Sequence, residues 1–224
     1  MEKSIIQRLI DAGVCTHKDV EQYMDDYNEQ KSTGLIDSQI EQPKKEYSVI
    51  ENGVLIKFDE RDLDEYGNYT TPDRVKKIKK YAFAKVNAEK ITLGKNVGYI
   101  EDYALWDCGA KKIVIKGNVK KIGECAFHLC LYLEEIELPD SLEEISKGML
   151  DNCIKLRSIK LPKNLKYIRN YAFARCTSLT NISDLPAGLQ QVGLSVCVHA
   201  PVENKFDDMV RNHPCTAERT IKWI

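Results

Sequence analysis

The chain has 224 residues, 43% of them apolar and 30% charged, with a formal net charge of −1. That length suits one folded domain with at most a small appendage, and the composition supplies enough apolar residues for a core and enough charge for a soluble chain. No run of 18 apolar residues occurs, so no membrane insertion is expected.

The charge is unevenly spread. Residues 1–74 carry 9 Lys+Arg against 17 Asp+Glu, a balance of −8, and residues 75–224 carry 24 against 17, a balance of +7. Such an asymmetry draws the two halves together or suits a partner of opposite charge, unless it is ordinary surface variation. The opening residues Met1-Glu2-Lys3-Ser4-Ile5-Ile6-Gln7-Arg8 lack the apolar stretch of a secretory signal. A cytoplasmic location is therefore expected, with a cell-surface or secreted one as the alternative if a signal has been removed. The eight cysteines, at 15, 108, 125, 130, 153, 176, 197 and 215, read accordingly as reduced thiols.

In chain order, residues 1–46 come first as a helical hairpin and linker. Ile5, Ile6, Leu9 and Ile10 recur at helical spacing, and Gly13 ends that helix. Thr16, with Asp19 three residues on, resembles a capping box opening a second helix that carries Val20, Tyr23, Met24 and Tyr27. The apolar face is too small to be stable alone, so the hairpin either caps the rest or serves as an interaction or dimerisation element. Residues 31–46 read as the linker. Residues 47–74 follow as a β-hairpin cap and an acidic loop. Asn52-Gly53 supplies the two positive-φ residues of a tight turn between Tyr47–Glu51 and Val54–Phe58, and Asp59–Thr71 reads as polar loop.

Residues 75–197 are repeats. Val75, Val97, Val119, Leu142 and Leu165 each open a similar unit, and Leu189 opens a degenerate sixth. Val119-Lys-Lys-Ile-Gly-Glu-Cys-Ala-Phe-His sets the pattern, and Leu165-Lys-Tyr-Ile-Arg-Asn-Tyr-Ala-Phe-Ala follows it closely. The starts are 22, 22, 23, 23 and 24 residues apart, within the period of leucine-rich repeats. In the second half of each unit, apolar and polar residues alternate as in a half-buried strand: Ile91 and Leu93, Ile113 and Ile115, Ile136 and Leu138, Ile159 and Leu161. Pro139, Pro162 and Pro186 follow the strands, where they break no central ladder bond. One unit cannot bury its own apolar side chains, so the units must stack, with corresponding strands side by side in one parallel sheet. Ala82, Ala104, Ala126 and Ala172 share one position, as expected of a turn too tight for anything larger.

The pattern I-x-x-x-A-F-x-x-C-x-x-L-x-x-I-x-L-P resembles the BspA-type leucine-rich repeat. Ile122, Ala126, Phe127, Cys130, Leu133, Ile136, Leu138 and Pro139 match it, as do Ile168, Ala172, Phe173, Cys176 and Leu179. The resemblance covers about residues 47–213. It implies an α+β repeat fold, a right-handed solenoid with a parallel sheet of short strands. That fold has a hairpin before the first unit and a helical cap after the last. The family is commonest in bacteria and many members are surface proteins, so the resemblance also implies adhesion for exported members. Residues 198–224 would form the C-terminal cap. Cys197–Pro201 would end the last strand, Val202–Asn212 would be a helix with Phe206, Met209 and Val210 on one face, and the apolar Ile221–Ile224 would dock.

Candidate chemistry is sparse. Cys108, Cys130, Cys153 and Cys176 fall one per unit, in a file that cannot converge tetrahedrally on one ion, so no metal is expected. A buried ladder of thiols donating to carbonyls fits better, and Val86 in the first unit supports a packing role. Cys125 with His128 nearby could form a nucleophile pair, but the sequence supplies no orienting acid. No cofactor motif is present, and an enzyme is not expected. Lys76, Lys77, Lys79, Lys80, Lys111, Lys112, Lys116, Lys120 and Lys121 make a basic patch, but acidic residues interrupt it and no aromatic stripe accompanies it, so no nucleic acid is expected. The outward side chains of the strands remain: Lys90, Thr92, Lys112, Val114, Glu135, Glu137, Ser158, Lys160, Asn181 and Ser183. They read as a mixed-charge platform for a protein, less readily a glycan. The alternative is a structural protein that self-assembles through its ends or its N-terminal helices.

Overall fold

The computed structural model describes residues 46–213 and the two-residue strand Lys222–Trp223. The helical hairpin expected over residues 1–30, nearly all of the linker, Cys15 and Cys215 lie outside the described residues.

The fold starts with strands β1 (Val49–Glu51) and β2 (Val54–Lys57), paired antiparallel. Asn52 and Gly53 at their turn have φ of 49° and 78°, the two left-handed residues that a type I′ turn needs. β2 then pairs in parallel with a strand of the first repeat, Leu55 opposite Ile78, so the hairpin belongs to the stack. The loop after it is more ordered than its polar composition suggests. Asp62, buried, accepts the backbone N–H of Tyr47 at 2.9 Å and of Ser48 at 2.6 Å. Asn68–Thr70 forms β3, and the Tyr69 ring packs 4.5 Å from Phe58, which in turn lies 5.0 Å from Phe83.

The stack contains two files of parallel strands, which corrects the single sheet expected from the sequence. One file continues β3 through β5 (Lys90–Leu93), β7 (Lys112–Ile115), β8 (Glu135–Glu137), β10 (Ser158–Ile159) and β12 (Asn181–Ile182). The other continues β2 through β4 (Lys77–Ile78), β6 (Tyr99–Ile100), an isolated bridge at Ile122, β9 (Glu144–Ile145), β11 (Tyr167–Ile168) and β13 (Gln191–Val192). β14 (Lys222–Trp223) adds to the end of that second file beside β13. The second file is hard to see in sequence because its two aliphatic positions lie three apart, as on a helix. The interval instead holds a corner and a two-residue strand. Val75, Leu142, Leu165 and Leu189 close the corner with an N–H bonded to the carbonyl three residues back, at Pro72, Pro139, Pro162 and Pro186.

A third ladder runs through the turn that follows each second-file strand. In the first unit the N–H groups of Tyr81, Phe83 and Lys85 donate to the carbonyls of Tyr103, Ala104 and Trp106 on the next unit, at 2.9–3.3 Å. The same three bonds recur between later units, for instance from Cys125, Phe127 and Leu129 to Lys147, Met149 and Asp151. To aim alternate N–H groups along the stack, two residues per turn adopt φ near +60°: 81 and 85, 103 and 107, 125 and 129, 148 and 152, 171 and 175, 195 and 199. Only Gly148 among these is a glycine, so the bonds along the stack offset a strain of roughly 1 kcal/mol at each other site.

The core is one continuous apolar cluster from Leu55 to Val210. Phe83, Leu105, Phe127, Leu150, Phe173 and Cys197 occupy one file within it and are all buried. Cys197 thus lies in the last turn at the place of a phenylalanine, not at the end of a strand as expected. The alanine position is roomier than expected, since Met149 and Val196 fill it and are also buried. Helix α1 (Glu203–Arg211) follows and adds Phe206 and Val210 to the same cluster.

Candidate partner-binding surface

The thiol file is a packing device. Cys130, Cys153 and Cys176 are fully buried, and each Sγ donates to the carbonyl of Leu105, Phe127 and Leu150 of the preceding unit, at 3.1, 3.3 and 3.2 Å. Cys108 donates instead to the carbonyl of Val86, the residue at its own position in the preceding unit, at 3.6 Å. Burial raises the thiols of Cys108, Cys153 and Cys197, and it pushes that of Cys176 up to about 12. These are unreactive thiols, since the thiolate is the nucleophile and the metal ligand. All six described cysteines are free, and among the described residues no group of His, Cys, Asp and Glu is arranged to hold a metal ion.

The structure places an acid beside His128 that the sequence could not: Asp151 Oδ2 lies 3.5 Å from His128 Nδ1. Asp151 also pairs with Arg175. Cys125, however, points its Sγ at the Lys147 carbonyl, 3.8 Å away, and burial raises its thiol. A nucleophile needs the opposite shift.

Five of the nine lysines in the basic patch are paired with carboxylates, mostly of adjacent units: Lys77 with Glu101 at 2.5 Å, Lys111 with Glu89 at 2.6 Å, Lys112 with Glu135 and Glu137, Lys120 with Glu143 at 3.7 Å, and Lys121 with Glu144 at 3.0 Å. The patch is therefore largely neutralised by interunit ion pairs.

The sheet face lies on the first file of strands. Lys90, Lys112 and Glu135 stand in register, as do Thr92, Val114 and Glu137. Thr92 and Val114 are only 4% and 6% exposed, so the structure removes both from the expected contact residues. They are short side chains in central strands, and in-register neighbours about 4.8 Å away on either side cover them. Lys112 bridges Glu135 at 2.8 Å and Glu137 at 2.7 Å, and these two carboxylates hold its ammonium above the usual lysine range. Ser183 is engaged as well. Its Oγ accepts the Leu161 N–H at 2.9 Å, continuing the ladder with a side chain. Ser158, Lys160 and Asn181 are exposed and have no ion pair among the described residues, while Lys90 is half-buried. The ladder is interrupted between β8 and β10, so the face divides into an ion-paired part and an uncommitted polar part.

A family model described as BspA type leucine rich repeat region, in six copies, matches residues 62–180 and 100–204. The chain belongs to this family. Among solved structures, this BspA-type chain is similar to a leucine-rich repeat protein from Eubacterium ventriosum at 20% identity, with a TM-score of 0.58, over 69% of this chain and 44% of that one. It is also similar to a leucine-rich repeat protein from Bacteroides ovatus at 31% identity, TM-score 0.48, over 60% and 41%. A leucine rich cell surface protein from Faecalibacterium prausnitzii shares 22% identity, TM-score 0.45, over 76% and 35%. This chain spans less than half the length of each of these three. The Eubacterium ventriosum likeness shows the fold alone. No curated protein matches.

Away from the sheet face, the structure sets aromatic rings beside Lys80 of the basic patch, a grouping not expected from the sequence. Tyr81, Tyr103 and Trp106 lie within reach of one another beside Lys80 and Lys85. The signal that could have found it is the recurrence of an aromatic residue at one unit position, before the shared alanine.

Proposed function

We propose that this BspA-type stack is a non-catalytic binding module that engages a protein, less readily a glycan, on its first-file sheet face. The observation that carries this reading is the set of polar side chains displayed at fixed steps by consecutive units on a hydrogen-bonded scaffold. Such a surface loses little conformational entropy on binding. Ser158, Lys160 and Asn181 form its uncommitted part, and Lys90, Lys112, Glu135 and Glu137 supply charges that set register more than affinity. The raised Cys125 thiol, the inert thiol file and the want, among the described residues, of a convergent acid, base and nucleophile support a role without catalysis.

The test compares pull-downs from an extract of the source cells. Wild-type chain should retain a protein that a Glu135→Lys/Glu137→Lys variant, or a Ser158→Glu/Asn181→Arg variant, retains at least tenfold less. Equal retention by all three proteins would remove the sheet face from consideration. Light scattering that shows mass growing with concentration, with nothing retained, would favour the self-assembling alternative.

A further inference from the structure

The first left-handed position of each turn carries Tyr81, Tyr103, Cys125, Gly148, Tyr171 and Ser195. Its backbone suits glycine, as Gly148 shows, and any Cβ there costs roughly 1 kcal/mol. The first two units nevertheless both place tyrosine there, and Tyr81 lies outside the buried core, 48% exposed.

The rings group. Tyr81 and Tyr103 have centroids 5.8 Å apart, and Trp106 stands edge-on to Tyr81 at 6.1 Å. The Lys80 ammonium lies 5.1 Å from both tyrosine rings, and that of Lys85 lies 5.5 Å from Trp106. Neither lysine ammonium is in an ion pair among the described residues, unlike Lys77 and Lys111 close by. The Glu101 carboxylate that pairs with Lys77 accepts from Lys80 only the backbone N–H, at 2.8 Å. Two cations without a side-chain ion pair thus border three clustered aromatic rings.

We propose that Lys80, Tyr81, Lys85, Tyr103 and Trp106 form a second docking site, for a protein segment that presents an acidic side chain next to an aliphatic or aromatic one. Tyrosine and tryptophan are the side chains that most often anchor protein contacts, and they lose little rotamer entropy when covered. The charge pattern selects among partners. Asp102, Asp107 and Glu124 occur in the next two turns, with Asp102 Oδ1 accepting the Glu124 N–H at 2.7 Å. A continuous polyanion such as single-stranded nucleic acid would run from the two lysines into these carboxylates. A peptide that sets one acidic residue against Lys80 and Lys85 and an apolar one against the rings need not place charge beside Asp102 and Asp107, which flank Tyr103 and Trp106. The site shares no residue with the sheet face and stands whether or not that reading holds.

The test pans a random dodecapeptide phage library on the full chain and counter-selects on a Tyr81→Ser/Trp106→Ala variant. Enriched peptides should carry Asp or Glu beside Leu, Phe or Tyr. Synthetic copies are then titrated against a Trp223→Phe background, where Trp106 is the remaining tryptophan, and should change its fluorescence. Lys80→Glu/Lys85→Glu, at exposed positions that do not threaten folding, should weaken that binding at least tenfold, and Glu135→Lys/Glu137→Lys should leave it within twofold. No differential enrichment, enriched peptides without acidic residues, binding unmoved by Lys80→Glu/Lys85→Glu, or a 20-nucleotide oligo(dT) that binds more tightly than any selected peptide would each overturn the proposal.

Discussion

Two positions of the same turn, five residues apart, follow opposite rules. The later one holds Cys108, Cys130, Cys153 and Cys176, with Val86 and Ala200 in the terminal units, and all six are buried. The earlier one holds Tyr81, Tyr103, Cys125, Gly148, Tyr171 and Ser195 on a left-handed backbone at the surface or half-buried, apart from Gly148. Buried positions in a stack repeat because each unit must fill a similar volume, and three of the thiols also meet the equivalent carbonyl of the preceding unit. An outward position is free of both demands, so its variety carries whatever distinguishes one unit from another.

The comparison is broken most forcefully by placing a charge in the buried file. Cys153→Asp should destabilise by about 4 kcal/mol or more, since an unpaired carboxylate would be buried without donors. Cys125→Asp in the outward file should cost far less, and urea midpoints separate the two. Phe127→Ala, which empties a fully buried site of the same turn, should cost about 3–5 kcal/mol. Gly117→Ala belongs with these large effects, because its Cβ would overlap the Val97 carbonyl.

Alkaline pH sharpens the contrast. Burial raises the folded Cys176 thiol to about 12, against roughly 8.5 in an unfolded chain. The unfolded state therefore loses its proton first. The stability contributed by the neutral thiol is complete below about pH 8.5 and is lost as pH rises toward 12. Urea midpoints should fall over that window, and Cys176→Ala should flatten the fall. Iodoacetamide at neutral pH should modify native Cys125 at least ten times faster than Cys130, Cys153 or Cys176, as read by peptide mass mapping; comparable rates would contradict the buried file. The smallest effect belongs to Tyr171→Gly, where relief of left-handed strain and lost side-chain burial nearly cancel. Its thermal midpoint should correspond to a change within about 0.5 kcal/mol.

Much of this was legible. The 22–24-residue period, the inward Ile and Leu of the first file, the Asn52-Gly53 turn and the buried thiols follow from spacing and residue type. The second file of strands was not, because two aliphatics three apart fit a helix as well as a corner followed by two extended residues. The burial of Thr92 and Val114 was equally hidden. Alternation assigns them to the outer face, and only the adjoining strands decide whether a short side chain there still meets water. The acid beside His128 comes from the next unit, 23 residues on, where local spacing gives no warning.

Taken alone, the order of residues determined that similar units must stack and which side chains they bury, because no single unit can cover its own apolar surface. The tertiary structure decided the rest. Hydrogen bonding between units sets the left-handed turns, and those turns lift Tyr81 and Tyr103 from the core to where they meet Trp106. Charges brought together from neighbouring units settle which part of the sheet face is already paired. Each of these outcomes depends on distances between units, which the chain acquires only when it is stacked.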